Sequence, residues 1–274
     1  MATRPVSGRK LIVAVAMCLL GASLAAAADD ATLTKDQIKQ FLLTAKIVSA
    51  RKPPKGTTNT LRLTLTDGTI THDASYQGIN EYKQNATLAS GRTVMHFSDT
   101  YKNNIAAYIL AEMVGLDDML PVYVERKYNG DTGSLSWWLP VKMDEVDRVR
   151  QKLDPPDVEA WNKQMSKIRV FDELVYDPDS NLTNVLIGDD WRIWRIDFTR
   201  AFRLEDKLTD PSLLVRCDRQ LLEKLKALDG KELSDKTKRY LTKETVKSVM
   251  ARRDKIVAHF QQMISEKGEA AVLY

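Results

Sequence analysis

The sequence predicts an α+β fold of two lobes, a small one built on an antiparallel sheet and a larger helical one. Three observations carry this. Strand alternation and turn residues dominate up to Pro140, one long helical stretch from Tyr101 to Val114 interrupts them, and helical periodicity dominates afterwards. Composition permits a sizeable core, because 43% of the 274 residues are hydrophobic and 28% are charged.

Arg4, Arg9 and Lys10 precede an apolar run from Leu11 to Ala28 that is broken only by Gly21 and Ser23 and closes on Ala25 to Ala28 before Asp29. A basic segment, an apolar segment and small residues ahead of a cut are the parts of an export signal. Residues 1–28 are therefore expected to be a signal peptide, cleaved within Ala27 to Asp29, and the mature chain to be periplasmic or secreted. The competing reading is a membrane anchor, since a run of about 18 residues could span a bilayer. A stop-transfer flank is missing, so no stable transmembrane segment is expected after processing.

Cleavage leaves Cys217 alone, so no intramolecular disulfide can form and the thiol is expected to be a buried apolar group. It also lowers the net charge from +4 to +1, with 38 Lys/Arg facing 37 Asp/Glu. Nucleic-acid binding then has no electrostatic motive, and Arg252-Arg253 is expected on a solvated helix face.

The elements follow in order. Thr34-Lys-Asp-Gln37 has the spacing of a capping box, and Ile38, Phe41, Leu42 and Ala45 continue it at helical period. Residues 51–58 read as a loop, Leu61 to Leu65 as a strand, Asp67-Gly68 as a turn and Thr69 to Tyr76 as the returning strand. Tyr101 to Val114 is a helix stopped by Gly115. Val122 to Arg126 and Ser134 to Leu139 are two further strands about the turn at 128–133. Helices are expected over Asp144–Lys152, Pro156–Leu174, Pro211–Leu228 and Thr242–Lys267. Between the second and third lie two short strands, 184–188 and 191–196, joined by a Gly-Asp-Asp turn.

Polar residues frame those two strands. Asp179 is followed five residues later by Asn184 and thirteen further by Asp197, which opens Asp197-Phe198-Thr199. Protein kinases space a catalytic Asp, a metal-binding Asn and the metal-binding Asp of an Asp-Phe-Gly motif in this way. The chemistry explains the spacing. Mg²⁺ takes oxygen ligands and clamps nucleotide phosphates, so one ligand enters from each end of a hairpin while the Asp of the preceding loop orients an acceptor hydroxyl and takes its proton. The plainer reading makes Asp179 and Asn184 turn formers and Asp197 a cap. His72, His96 and His259 have no partner at zinc spacing, and neither a Walker A loop nor G-x-S-x-G is present.

Phe171-Asp-Glu-Leu-Val-Tyr-Asp-Pro-Asp-Ser-Asn181 with Asn184, and Trp194-Arg-Ile-Asp-Phe-Thr-Arg-Ala-Phe202, resemble exported bacterial proteins of the atypical protein-kinase-like superfamily, which includes HipA-type, phosphoinositide and secretory-pathway kinases. Asn104 to Tyr108, Leu120 to Arg126 and Gly133 to Trp138 extend the resemblance over nearly the whole mature chain. It implies a kinase-like N-lobe over 29–140, a helical C-lobe over 141–274, and ATP with Mg²⁺ or Mn²⁺ in the cleft between them. Asp179 would be the base, and Asn184 and Asp197 the metal ligands. Trp138 and Leu139 would form the hinge, and Gly56 would sit in a phosphate-covering loop, where an ordinary loop is the competing reading.

The pattern also departs from the family's. Gln77 stands where active relatives carry a phosphate-contacting lysine, and Asn104 where a helix carboxylate would pair with it. Lys83 is expected in a solvated loop, and Arg200 and Arg203 either reach an anionic group or pair with a carboxylate. Two functions follow as expectations, beside a structural periplasmic domain in which the polar cluster only closes the hairpin. One is an ATP-dependent phosphotransferase acting on a hydroxyl of a protein, lipid or small molecule; the other is a pseudokinase serving as a nucleotide- or ligand-binding module.

Overall fold

A computed structural model describes residue 1 and residues 33–53, 60–87, 93–177 and 181–274. The expected signal segment, Gly56 and Asp179 lie outside the described residues. Helix α1 (Lys35–Thr44) begins with the capping box read from the sequence, with Thr34 and Gln37 exchanging side-chain and backbone bonds. Its last carbonyls receive Arg126, which donates to the oxygens of Leu42 and Ala45.

Five strands form the main sheet: β1 (Lys46–Arg51), β2 (Leu61–Thr66), β3 (Thr71–Gln77), β6 (Tyr123–Tyr128) and β7 (Asp131–Trp137), in antiparallel order β1-β2-β3-β7-β6. Alternation sorts the side chains of β2, β3 and β7. Leu63, Leu65, Ala74, Leu135 and Trp137 are buried on one face, where Trp137 meets Phe41 of α1 edge-on at 5.7 Å. Strand β7 ends two residues before the expected Leu139, although the N–H of Trp138 still bonds Asp73 at 3.1 Å.

Strands β4 (Asn80–Thr87) and β5 (Thr93–Thr100) form a separate two-stranded ribbon that the sequence reading missed. Lys83 is therefore in a strand, not a loop. The signal was hidden because almost every described residue of β4 is exposed, so no face needed apolar residues at period two. Helix α2 (Tyr101–Val114) follows at once and ends at Gly115, whose φ of 73° is the left-handed conformation glycine adopts without a Cβ clash.

The C-lobe holds β8 (Met143–Asp144), α3 (Glu145–Gln151), α4 (Val158–Val175), β9 (Val185–Ile187), β10 (Ile193–Arg195), α5 (Arg219–Ala227), α6 (Gly230–Thr237), α7 (Lys243–Lys267) and α8 (Glu269–Val272). Two expectations are corrected. Pro211–Leu228 is not one helix, because Asp210 caps a single 3₁₀ turn, Pro211–Leu213, and Asp218 caps a fresh start by accepting from the Leu221 N–H.

Arg252 is not solvated either. It is fully buried and donates to the carbonyls of Leu174, Arg203 and Glu205, while Arg253 donates to those of Leu225 and Leu228. The carbonyls of Leu174, Leu225 and Leu228 are left open at the ends of α4 and α5, and those of Arg203 and Glu205 belong to the loop after β10. Cys217 is buried as expected, and burial pushes its thiol up to about 12. Among the described residues no helix is long and apolar enough to cross a membrane.

Candidate functional site

The β9–β10 ribbon pairs Ile187 with Ile193, Leu186 with Trp194 and Val185 with Arg195, and the N–H of Ile196 continues the ladder to the Asn184 carbonyl at 3.0 Å. Asn184 and Asp197 thus stand at the same end of the ribbon, both half-buried. Asn184 closes a 3₁₀ turn, Leu182–Asn184, capped by Asn181. Asp197 turns the chain out of β10 with a φ of 61°, a left-handed conformation that Asp tolerates better than most residues. Its Oδ1 accepts from the Thr199 hydroxyl at 3.1 Å.

Helix α2 holds the segment after Asp197 through two consecutive buried amides. Asn103 Nδ2 donates to the carbonyls of Thr199 and Ala201, both at 2.9 Å, and the N–H of Thr100 also reaches Thr199 at 2.9 Å. Asn104 Oδ1 accepts the Phe198 N–H at 2.7 Å, while its Nδ2 donates to Gln77 Oε1 at 2.6 Å and to the Ser134 hydroxyl at 3.2 Å. Gln77 and Asn104 are therefore directly bonded as a neutral pair. Phe198 is fully buried and packs edge-on against Phe171 at 5.6 Å.

Behind the ribbon lies a charge cluster that sequence reasoning missed. Arg195, 1% exposed, bonds Asp172 at 3.1 Å and Asp177 at 2.5 Å, which ties β10 to the stretch just ahead of Asp179. An arginine in a strand between Trp194 and Ile196 was the available clue. Burial pushes Asp172 up to about 7 against the pull of Arg195, with Asp177 adding a like charge. Glu173, also buried, accepts from the backbone N–H groups of Thr209 and Asp210 and fixes that loop.

The remaining candidates are scattered around the cleft. Trp138 and Leu139 are half-buried at the exit of β7, and the Arg62 guanidinium stands 4.1 Å over the Trp138 ring. Lys83 pairs with Glu81 at 2.9 Å on the exposed ribbon. Arg200 pairs with buried Asp99 of β5 at 2.8 Å, and Arg200 and Arg203 both face the Phe97 ring. The Tyr123 hydroxyl meets the backbone of Asp197 and the side chain of Ser136; burial, then the Asp197 charge, push its pKa up, so it stays a neutral phenol.

Among the described residues no three His, Cys, Asp or Glu side chains gather as a metal site. Asn184 and Asp197 carry the residue types that could hold Mg²⁺, which is usually bound by one or two carboxylates together with substrate phosphates.

The small antiparallel-sheet lobe and the larger helical lobe define a kinase-like fold. Solved structures with the same fold include hydra Fam20 with sugar (TM-score 0.64, 14% identity, 87% of this chain and 91% of that one). The golgi casein kinase is similar (TM-score 0.62, 14%, 87% and 78%), as is the Helicobacter pylori proinflammatory kinase CtkA (TM-score 0.50, 11%, 81% and 98%). No family model and no curated protein matches the chain in sequence.

Proposed function

We propose that this chain is a kinase-like phosphotransferase that works outside the cytoplasm, taking ATP with Mg²⁺ or Mn²⁺ and a hydroxyl acceptor on a protein, lipid or small molecule. The observation that supports the reading is the backbone bond from the Ile196 N–H to the Asn184 carbonyl, which brings Asn184 and Asp197 to one end of the ribbon. A divalent ion there would neutralise phosphate charge. Asn184 and Asp197 hold it, α2 fixes the backbone that aims Asp197, and Asp179 takes the acceptor's proton. Trp138 and Leu139 offer backbone groups at the hinge, and Gly56 belongs to the loop over the phosphates. Two of the similar structures are described as kinases, which supports the reaction class.

The Gln77–Asn104 bond favours a second reading, a pseudokinase that binds nucleotide and turns it over slowly or not at all. Phosphoryl transfer is stabilised by metal and cationic groups, and a neutral amide pair supplies no charge. Thermal-shift and calorimetric titration of the mature protein with ATP and Mg²⁺ or Mn²⁺, beside Asp197→Ala, tests the site. Metal-dependent stabilisation that the variant loses is expected; equal behaviour of both proteins would remove the metal assignment. Phosphate release then separates enzyme from pseudokinase.

A further inference from the structure

At Thr199 the chain leaves the Asp-Phe-Gly pattern, and the change brings a hydroxyl to the carboxylate proposed to hold the metal. Thr199 is buried, and its Oγ1 donates to Asp197 Oδ1 at 3.1 Å, where a glycine would donate nothing from its side chain. The Thr199 backbone is itself held, because its carbonyl accepts from Asn103 Nδ2 and from the Thr100 N–H, both at 2.9 Å. Helix α2 therefore fixes the hydroxyl, and the hydroxyl fixes one oxygen of the carboxylate. Among the described residues no other hydrogen bond reaches that carboxylate, so Oδ2 stays open to a ligand.

A carboxylate meets a divalent ion with one oxygen or with both. Mg²⁺ demands near-octahedral ligands at about 2.0–2.1 Å, and the two oxygens of one carboxylate sit too close together to fill two such positions. Ca²⁺ accepts six to eight oxygens at about 2.3–2.6 Å and takes a carboxylate in either mode. A donor held on Oδ1 opposes the two-oxygen mode, since the ion would have to displace the hydroxyl. Partners behind a metal ligand act in this way, by orienting it.

We infer that Thr199 is a positioning residue that presents Asp197 to a divalent ion through Oδ2 alone and so favours Mg²⁺ over Ca²⁺. The inference rests on the metal reading proposed above. Calorimetry of ATP binding to the mature protein in Mg²⁺ or in Ca²⁺, each saturating the nucleotide, tests it through the ratio of the two affinities. The parent is expected to bind ATP more tightly in Mg²⁺. Thr199→Val keeps the branched shape without the donor and is expected to lower that ratio about tenfold, the scale of a partner lost from behind a metal ligand. Thr199→Ser returns the hydroxyl and is expected to stay within about threefold of the parent.

A role in packing alone would move both affinities together and leave the ratio where it was. An unchanged ratio in Thr199→Val, or a parent that binds equally well in both ions, would overturn the inference and leave a metal-dependent site standing; so would a serine variant that behaves like the valine one. Failure of the parent to bind ATP in either ion, or binding that Asp197→Ala leaves intact, would overturn both readings. Thr199→Ala makes the same comparison should the valine variant not fold.

Discussion

Gln77 and Asn104, expected from the sequence at the places of a lysine and a carboxylate, bond each other as neutral amides. Asn104 is fully buried, with its donors on Gln77 and Ser134 and its acceptor on the Phe198 N–H. Asn104→Leu would orphan that N–H, so urea unfolding should show a loss of roughly 3 kcal/mol, the scale of a buried polar group left unpaired together with its lost bonds. Restoring the charge requires both partners. Gln77→Lys with Asn104→Glu should raise phosphate release from ATP, whereas either change alone should destabilise the protein by burying one unpaired charge. A double variant no faster than the parent would show that the amide pair is not what limits the rate.

Asp172 gives a pH signature at the same scale. Its folded pKa, about 7, lies above the ordinary carboxylate value, so the folded protein binds the extra proton between the two. Its contribution to stability is complete below the unfolded pKa and is lost as pH rises through about 7. Asp172→Asn should flatten the fall in unfolding temperature across that window. An unchanged slope would place the titration elsewhere.

At the scale of elements, α7 reaches across the C-lobe through Arg252, which joins the end of α4 at Leu174 to the stretch carrying Arg203 and Glu205. Burial pushes its guanidinium down to about 10, yet it stays charged at neutral pH. Arg252→Leu leaves those carbonyls without their donor and should cost roughly 3 kcal/mol or more in denaturant unfolding, with Arg252→Lys recovering only part because one ammonium cannot fan out to all of them.

The same element shows where sequence reasoning stops. The capping box at Thr34, the Gly115 stop and the 184–196 hairpin were legible because their signals are local and lie within a few residues. The spacing of Asn184 and Asp197 was legible too, since hairpin length alone brings both to one end. Arg252 was expected on a solvated helix face and Asn103 was not singled out at all; their partners are carbonyls 78 and 96 residues away, which no local pattern announces. Ribbon β4–β5 was invisible for the opposite reason, having too little burial to impose a period.

For the molecule as a whole, the C-terminus is part of the framework. Cys217 donates its N–H to Val272 at 2.9 Å and accepts from Tyr274 at 3.2 Å, and Arg219 donates to Tyr274 at 3.0 Å, so the last residues are pinned beside the start of α5. With the thiol buried and its pKa raised to about 12, the reactive thiolate is scarce and shielded. Alkylation of Cys217 by iodoacetamide should therefore wait for opening of the C-lobe, and its rate should rise with urea along the global unfolding curve. Removal of the last three residues should speed labelling in native buffer without denaturant. Rapid labelling of the intact native protein would mean that the C-terminus lifts away independently and that α5 and α7 are held by their own packing alone.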